Sequence, residues 1–214
     1  MNKNILALIC LFLTVNAFDT PNTKNISELN LEKIANKYGK GAYQRAILWD
    51  DMIESVKNQK VVKQLKAVND YFNSFRYVTD KVLWKKNDYW ASPFEFIGYG
   101  AGDCEDFAIA KYFALRTIGI PDSKLKITYV KIKQSHKKYE EAHMVLNYYH
   151  KPNSTPIVLD NVNKTLKLAS KRTDLKPVYS FNASNLWKSQ NKTKDLERKG
   201  NNNLTKWQSM MSRI

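Results

Sequence analysis

The amino-acid sequence predicts an α+β fold, with helices first and an antiparallel sheet after them. Three observations carry the prediction. Apolar residues recur at helical spacing across residues 25–75. A further helix, bounded by glycines, is expected from Asp103 to Ile118. Beyond Leu125 apolar and polar residues alternate, the period of a strand, and the connections are short and polar. Helical segments followed by strands, instead of strands alternating with helices, exclude a doubly wound parallel sheet.

A secretory signal is expected at the start of the chain. Lys3 supplies a basic start, Ile5 to Val15 form an apolar run of 11 residues, and Val15-Asn16-Ala17 offers a small-residue cleavage site. Such a run is too short for an ordinary membrane span and suits a signal peptide over residues 1–17, cut after Ala17. Ile9 is bulky where a lipidation signal wants a small residue, so Cys10 reads as part of the apolar signal core. No other stretch approaches spanning length, so an exported protein without a transmembrane segment after cleavage is expected.

Residues 18–187 read as one domain, its helical part at 25–75 and its core at 76–187. Leu29, Leu31, Ile34 and Tyr38 form a first helix stopped by Gly39. Tyr43 to Val56 form a second, with Ile47, Leu48, Met52, Ile53 and Val56 on one face. Val61, Leu65, Val68, Phe72 and Phe75 form the stripe of a third. Tyr77 to Gly102 is aromatic and irregular, ending in Gly98-Tyr99-Gly100-Ala101-Gly102, where tight turns are possible. The next helix begins at Asp103 and so places Cys104 at a helix N-terminus, and Gly119 and Pro121 end it. Strands are expected at Leu125–Ile132, Ala142–Tyr149 and Ile157–Asp160, joined by hairpin connections near 133–141 and 151–155. Residues 188–214 read as a basic polar tail carrying a short helix from Leu204.

Composition excludes several classes. With 43% hydrophobic and 12% aromatic residues among 214, the chain can bury a core and is not disordered. Two cysteines cannot staple a disulfide scaffold. The formal charge of +15 invites nucleic acid, but +9 of it lies after Asp160 and Lys3 leaves with the signal. No nucleic-acid partner is expected for an exported chain lacking a coherent basic face; a basic surface-binding module is the low alternative.

Cys104 carries the chemistry. A thiol is a nucleophile as thiolate, which a helix N-terminus stabilises and a nearby imidazole completes. His136 sits in a Lys-rich loop and His150 at a strand end, whereas His143 lies within a strand before Met144-Val145-Leu146. Asp160 closes the apolar strand Ile157-Val158-Leu159, where an unpaired carboxylate would be costly. A hairpin that sets it beside His143 would give a nucleophile, a base and an orienting acid. Asp103, Glu105 and Asp106 surround the thiol with negative charge that opposes its ionisation. These acids either cap the helix or hold a cation, for which an oxygen-rich cluster suits calcium.

The run Gly100-Ala-Gly-Asp-Cys104-Glu-Asp-Phe-Ala-Ile-Ala-Lys-Tyr-Phe-Ala-Leu-Arg116, with Ala142-His143-Met-Val-Leu146 and Val158-Leu-Asp160-Asn161, resembles the bacterial transglutaminase-like cysteine peptidases, and among them the periplasmic LapG-type proteases. Leu125 to Lys131 and Pro177 to Asn182 also match, so the resemblance spans about Ala67 to Trp187. It implies a papain-like, transglutaminase-like core in which a Cys-bearing helix packs on an antiparallel sheet. It implies a Cys104–His143–Asp160 triad, with Ca2+ held by Asp103 and Glu105 and Asp106 as a further ligand. It also implies a substrate, the N-terminal region of a large surface adhesin cut at a di-alanine-type site. The implied regulator is an inner-membrane cyclic-di-GMP receptor that sequesters the protease until the nucleotide falls and the biofilm disperses. An acyl transferase of transglutaminase type would use the same triad. The stretch Gln134–Glu141 is long for the family and should alter a hairpin loop only.

Overall fold

A computed structural model describes residues 28–189 and 196–214. The signal-peptide expectation, with Cys10, lies outside the described residues. The first two helices, α1 (Glu28–Tyr38) and α2 (Lys40–Val56), are separated by Gly39 alone. Gly39 adopts φ 84°, a left-handed conformation that other residues rarely take, and this makes the break abrupt. Helix α2 therefore starts three residues before the expected Tyr43. Helix α3 (Val61–Phe72) buries Leu65, Val68 and Phe72 completely. Phe75, expected on the same stripe, lies past the C-cap Asn73 but still packs on the rings of Phe72 and Phe96, at 5.7 and 5.1 Å.

The aromatic stretch holds more order than its pattern announces. Two short parallel strands, β1 (Arg76–Tyr77) and β2 (Ala101–Gly102), bracket helices α4 (Asp80–Leu83) and α5 (Pro93–Tyr99). Helices of four and seven residues are too short to show a period. Local chemistry makes α5: Ser92 and Glu95 form a capping box, Pro93 opens the first turn, and Gly100 at φ 61° closes the last.

Helix α6 (Cys104–Thr117) is the centre of the molecule. Every residue from Asp106 to Leu115 is buried, because one side packs on the sheet and the other on α3 and α5. Strands β3 (Leu125–Ile132), β4 (Glu141–Tyr148) and β5 (Ile157–Leu159) form the expected antiparallel array, with Ile132 opposite Glu141 across the first connection. The long 133–140 stretch is confined to that connection. The sheet is wider than the three expected strands. Strands β6 (Lys167–Leu168), β7 (Leu175–Phe181), β8 (Asn185–Ser189) and β9 (Leu196–Asn201) complete seven, in the order β6-β5-β4-β3-β7-β8-β9.

Helix α7 (Thr205–Met211) ends the chain against the core. Trp207 is 2% exposed, stacked on Phe113 at 5.8 Å, and Met210 is fully buried. The stretch read as a tail thus adds a strand to the sheet and two side chains to the core. Among the described residues no helix is long and apolar enough to cross a membrane.

Candidate active site

Cys104 is the first residue of α6, and the local sequence explains why the helix begins there. Asp103 is the N-cap with extended backbone, and its N–H donates to Asp106 Oδ2 at 3.1 Å. Asp106 Oδ1 accepts the Ala91 N–H at 2.8 Å, tying the helix start to the aromatic stretch. Gly102 must be glycine, since a Cβ there would come within 2.8 Å of Asp106 and 2.9 Å of Phe96.

The partly buried thiol donates to Glu105 Oε2 at 3.1 Å. Burial raises its pKa well above the ordinary thiol value, and Glu105 and Asp103 push it further. The Met144 backbone N–H, bonded to the sulfur, pulls the other way. His143, 4% exposed on β4, shares a 2.8 Å hydrogen bond between Nε2 and Asp160 Oδ1. Asp160 lies one residue past the end of β5, and its Oδ1 also accepts the Val162 N–H at 2.9 Å. Its Oδ2 accepts from Arg172 Nη2 at 2.7 Å. Burial opposes the Asp160 charge, but the His143 bond, the Val162 N–H and Arg172 outweigh it and hold the carboxyl well below the usual range.

Cys104 and His143 open on one cleft of about 470 Å³, lined also by Tyr77, Trp90, Asp103 and Glu105. Trp90 is stacked on Phe181 at 5.4 Å, a fixed aromatic wall. A second cavity, of about 480 Å³, lies elsewhere on the sheet and reaches neither the thiol nor the imidazole. The hairpin expected to join His143 and Asp160 therefore does so, and α6 brings Cys104 to the same cleft. Arg172, 1% exposed, was not among the expected residues; nothing in its surroundings marks it before β5 and the turn after β6 meet.

The acidic cluster is larger than the sequence suggests. Carboxylate oxygens of Asp80, Asp103 and Asp106 lie within 4.8 Å of one another, as do those of Asp80, Asp88 and Glu105. Asp80 Oδ1 and Asp103 Oδ1 are buried without a partner, a costly state that a cation would relieve. Asp106, in contrast, spends both oxygens on backbone N–H groups. Burial raises the Asp80 carboxyl to about 6 despite its Tyr89 N–H bond. Burial and the neighbouring Glu105 raise Asp103 to about 8. An all-oxygen donor set with orphaned, strained-to-ionise carboxylates fits a hard divalent cation. Asp80 and Asp88, from α4 and the loop after it, carried no motif, since they lie far from Cys104 in sequence and only the fold gathers them.

This geometry agrees with the similarities of the chain. Residues 46–208 match the family described as bacterial transglutaminase-like cysteine proteinase. Calcium-bound LapG of Legionella pneumophila is 43% identical, with a TM-score of 0.73 over 86% of this chain and 97% of that one. The EGTA-treated form of the same protein is 42% identical, with a TM-score of 0.73 over 86% and 96%. The sequence matches no curated protein significantly. With a thiol at a helix start, an imidazole–carboxylate pair on the sheet beside it and a family match across most of its length, the chain belongs to the bacterial transglutaminase-like cysteine proteinases and is a cysteine peptidase.

Proposed function

We propose that the protein is a calcium-dependent periplasmic endopeptidase that cuts the N-terminal region of a large surface adhesin. The observation that carries this reading is the shared cleft: Cys104 at the start of α6 and the 2.8 Å His143–Asp160 pair open onto it together. The substrate class and the regulator are those implied by the resemblance of the sequence to the LapG-type proteases, and the similarity to LapG supports that reading. The regulator is an inner-membrane cyclic-di-GMP receptor that sequesters the protease, so that release frees the adhesin and disperses the biofilm.

In this reading Cys104 attacks the scissile carbonyl after His143 takes its proton. The carbonyl oxygen becomes an oxyanion, which the Cys104 backbone N–H can stabilise at the helix N-terminus. His143 then gives the proton to the leaving amine, and water, deprotonated by His143, hydrolyses the thioester. Asp160 holds the imidazole orientation and stabilises the imidazolium, and Arg172 holds Asp160. Asp103, Glu105 and Asp80 would hold calcium, with Asp88 and Asp106 close by. When bound, the ion offsets the carboxylate charge that keeps the thiol protonated.

The test is to incubate the protein with the N-terminal segment of the large adhesin encoded nearest to it, with calcium and with EGTA. Cleavage is expected with calcium, and Cys104→Ala should abolish it. Cleavage by that variant would sink the mechanism, and cleavage undiminished in EGTA would sink the calcium dependence.

A further inference from the structure

Lys111 is buried to 1% exposure inside α6, and the chemistry above does not use it. It lies seven residues from Cys104, almost two full turns, so both project from the same side of the helix. Its Nζ donates to Asn73 Oδ1 at 2.7 Å. The other end of that amide, Asn73 Nδ2, donates to the backbone carbonyl of Asp160 at 2.8 Å. The amide orientation is forced, because an ammonium only donates and a carbonyl only accepts. Two more bonds secure the relay: Lys164 Nζ donates to the Asn73 carbonyl at 3.0 Å, and Asn69 Nδ2 donates to the Lys164 carbonyl at 2.8 Å.

We propose that Lys111 is a positioning residue of the peptidase. Through the Asn73 amide it fixes the main chain at Asp160, and so the carboxylate holding His143, relative to the helix that carries Cys104. The inference rests on the reading of Cys104, His143 and Asp160 as the reacting set. One buried chain, Lys111–Asn73–Asp160, joins the three elements whose relative placement that set requires: α6, the end of α3 and the end of β5. Core stability alone does not account for a lysine here. A buried ammonium costs desolvation, and an unbranched apolar side chain of similar length would avoid it. That cost is visible: burial brings the Lys111 pKa down to about 7, with Asp160 and Asp70 opposing the drop and Lys164 adding to it. A catalytic constellation loses rate from small misplacements, which gives a rigid tie its value.

The experiment compares wild type, Lys111→Met, Asn73→Asp and Asp160→Ala in cleavage of the same adhesin segment with calcium, each checked for a folded state by thermal melt. Lys111→Met is expected to lower kcat about tenfold or more with KM within about twofold, since positioning acts on the reacting groups and not on substrate binding. It should also move the acid limb of kcat/KM to higher pH, because removing a cation raises the pKa of neighbouring acids. Asn73→Asp keeps an acceptor for the lysine but loses the donor to Asp160, and should lower kcat likewise. If Lys111→Met does not fold, Asn73→Asp decides. A folded variant of either kind with wild-type kcat and pH profile overturns the proposal. If Asp160→Ala also cleaves like wild type, the reading of the reacting set has failed instead, so the two failures are distinct.

Discussion

The Cys104 thiol donates to Glu105 Oε2 at 3.1 Å, a carboxylate belonging to the next residue of the same helix turn. Burial raises the thiol pKa, and Glu105, which is also placed to bind a cation, raises it further. Glu105→Gln removes one negative charge from beside the sulfur, which favours thiolate. In EGTA this variant should be alkylated at Cys104 by iodoacetamide faster than wild type at neutral pH. Calcium should speed wild type and leave the variant little changed. Equal rates in EGTA would show that Glu105 does not restrain the thiol.

Stability without metal should fall as pH rises. Asp80 and Asp103 have folded pKa values raised to about 6 and about 8, while unfolded aspartate titrates near about 3.9. The folded state therefore binds more protons than the unfolded one across this interval, so stability is greatest below it and is lost as pH climbs toward about 8. Two groups act in the opposite sense. The depressed pKa of Asp160 places its loss of stability on the acid side, below the unfolded value. Lys111, lowered to about 7, offsets part of the fall above that pH, because the unfolded lysine then keeps the extra proton. Melting in EGTA should thus give a lower Tm at about pH 8 than at about pH 6. Calcium should reduce that difference, since it binds the deprotonated acids more tightly. A Tm in EGTA that rises over the same interval would contradict the assignment.

Asp80 is a site residue the sequence did not mark. Its Oδ1 is buried and unpartnered, and its oxygens approach those of Asp103 and Asp106. Asp80→Asn keeps the shape and the hydrogen-bonding oxygen but removes the charge. Calcium affinity, measured by isothermal titration, should fall by about tenfold or more, judged by the sensitivity of metal sites to their supporting groups. Unaltered affinity would exclude Asp80 from the cation site.

What could be read from sequence follows from how locally each feature is encoded. Cys104 was legible because Gly102, Asp103 and the apolar run to Ile118 write a helix start into consecutive residues. His143 and Asp160 were legible because strands joined by short connections must pair, and Leu146 does face Leu159. Asp80 and Arg172 were not, since each reaches the site through a long-range contact that no local pattern records. Strands β7 and β8 were missed for a similar reason: only the docking of β7 on the free edge of β3, Tyr129 opposite Tyr179, turns that stretch into sheet.

Arg172 is buried with Asp160, its Nη2 shared between Asp160 at 2.7 Å and Asp174 at 2.8 Å. Removing one member of a buried pair leaves the other charge uncompensated, which typically costs about 3–5 kcal/mol. Arg172→Leu should lower stability to denaturant by that order and impair cleavage, because Asp160 loses the group that fixes its outer oxygen. If stability is kept, Val162 and His143 alone suffice to hold the carboxylate.

Trp207 tests whether the C-terminal segment is structural. Asn202 leads into α7 by donating to the Asn182 carbonyl at 2.8 Å and accepting the Leu204 N–H at 3.1 Å. The helix then inserts Trp207 among Phe113, Tyr112 and Phe181, with ring centroids 5.5 to 5.8 Å apart. The lysines and asparagines around it made this stretch look like a solvated tail, because two buried residues in one short helix give no measurable period. Trp207→Ala empties a large core volume and should cost about 3–5 kcal/mol. Deleting everything after Ser189 removes Met210 as well, and with it Arg213, which stacks on Tyr89 at 4.6 Å and bonds Glu95 at 3.3 Å beside the cleft. That truncation should therefore lose both a cooperative melt and peptidase activity. A truncated chain that still melts cooperatively and cleaves would show that the rest of the domain folds without α7.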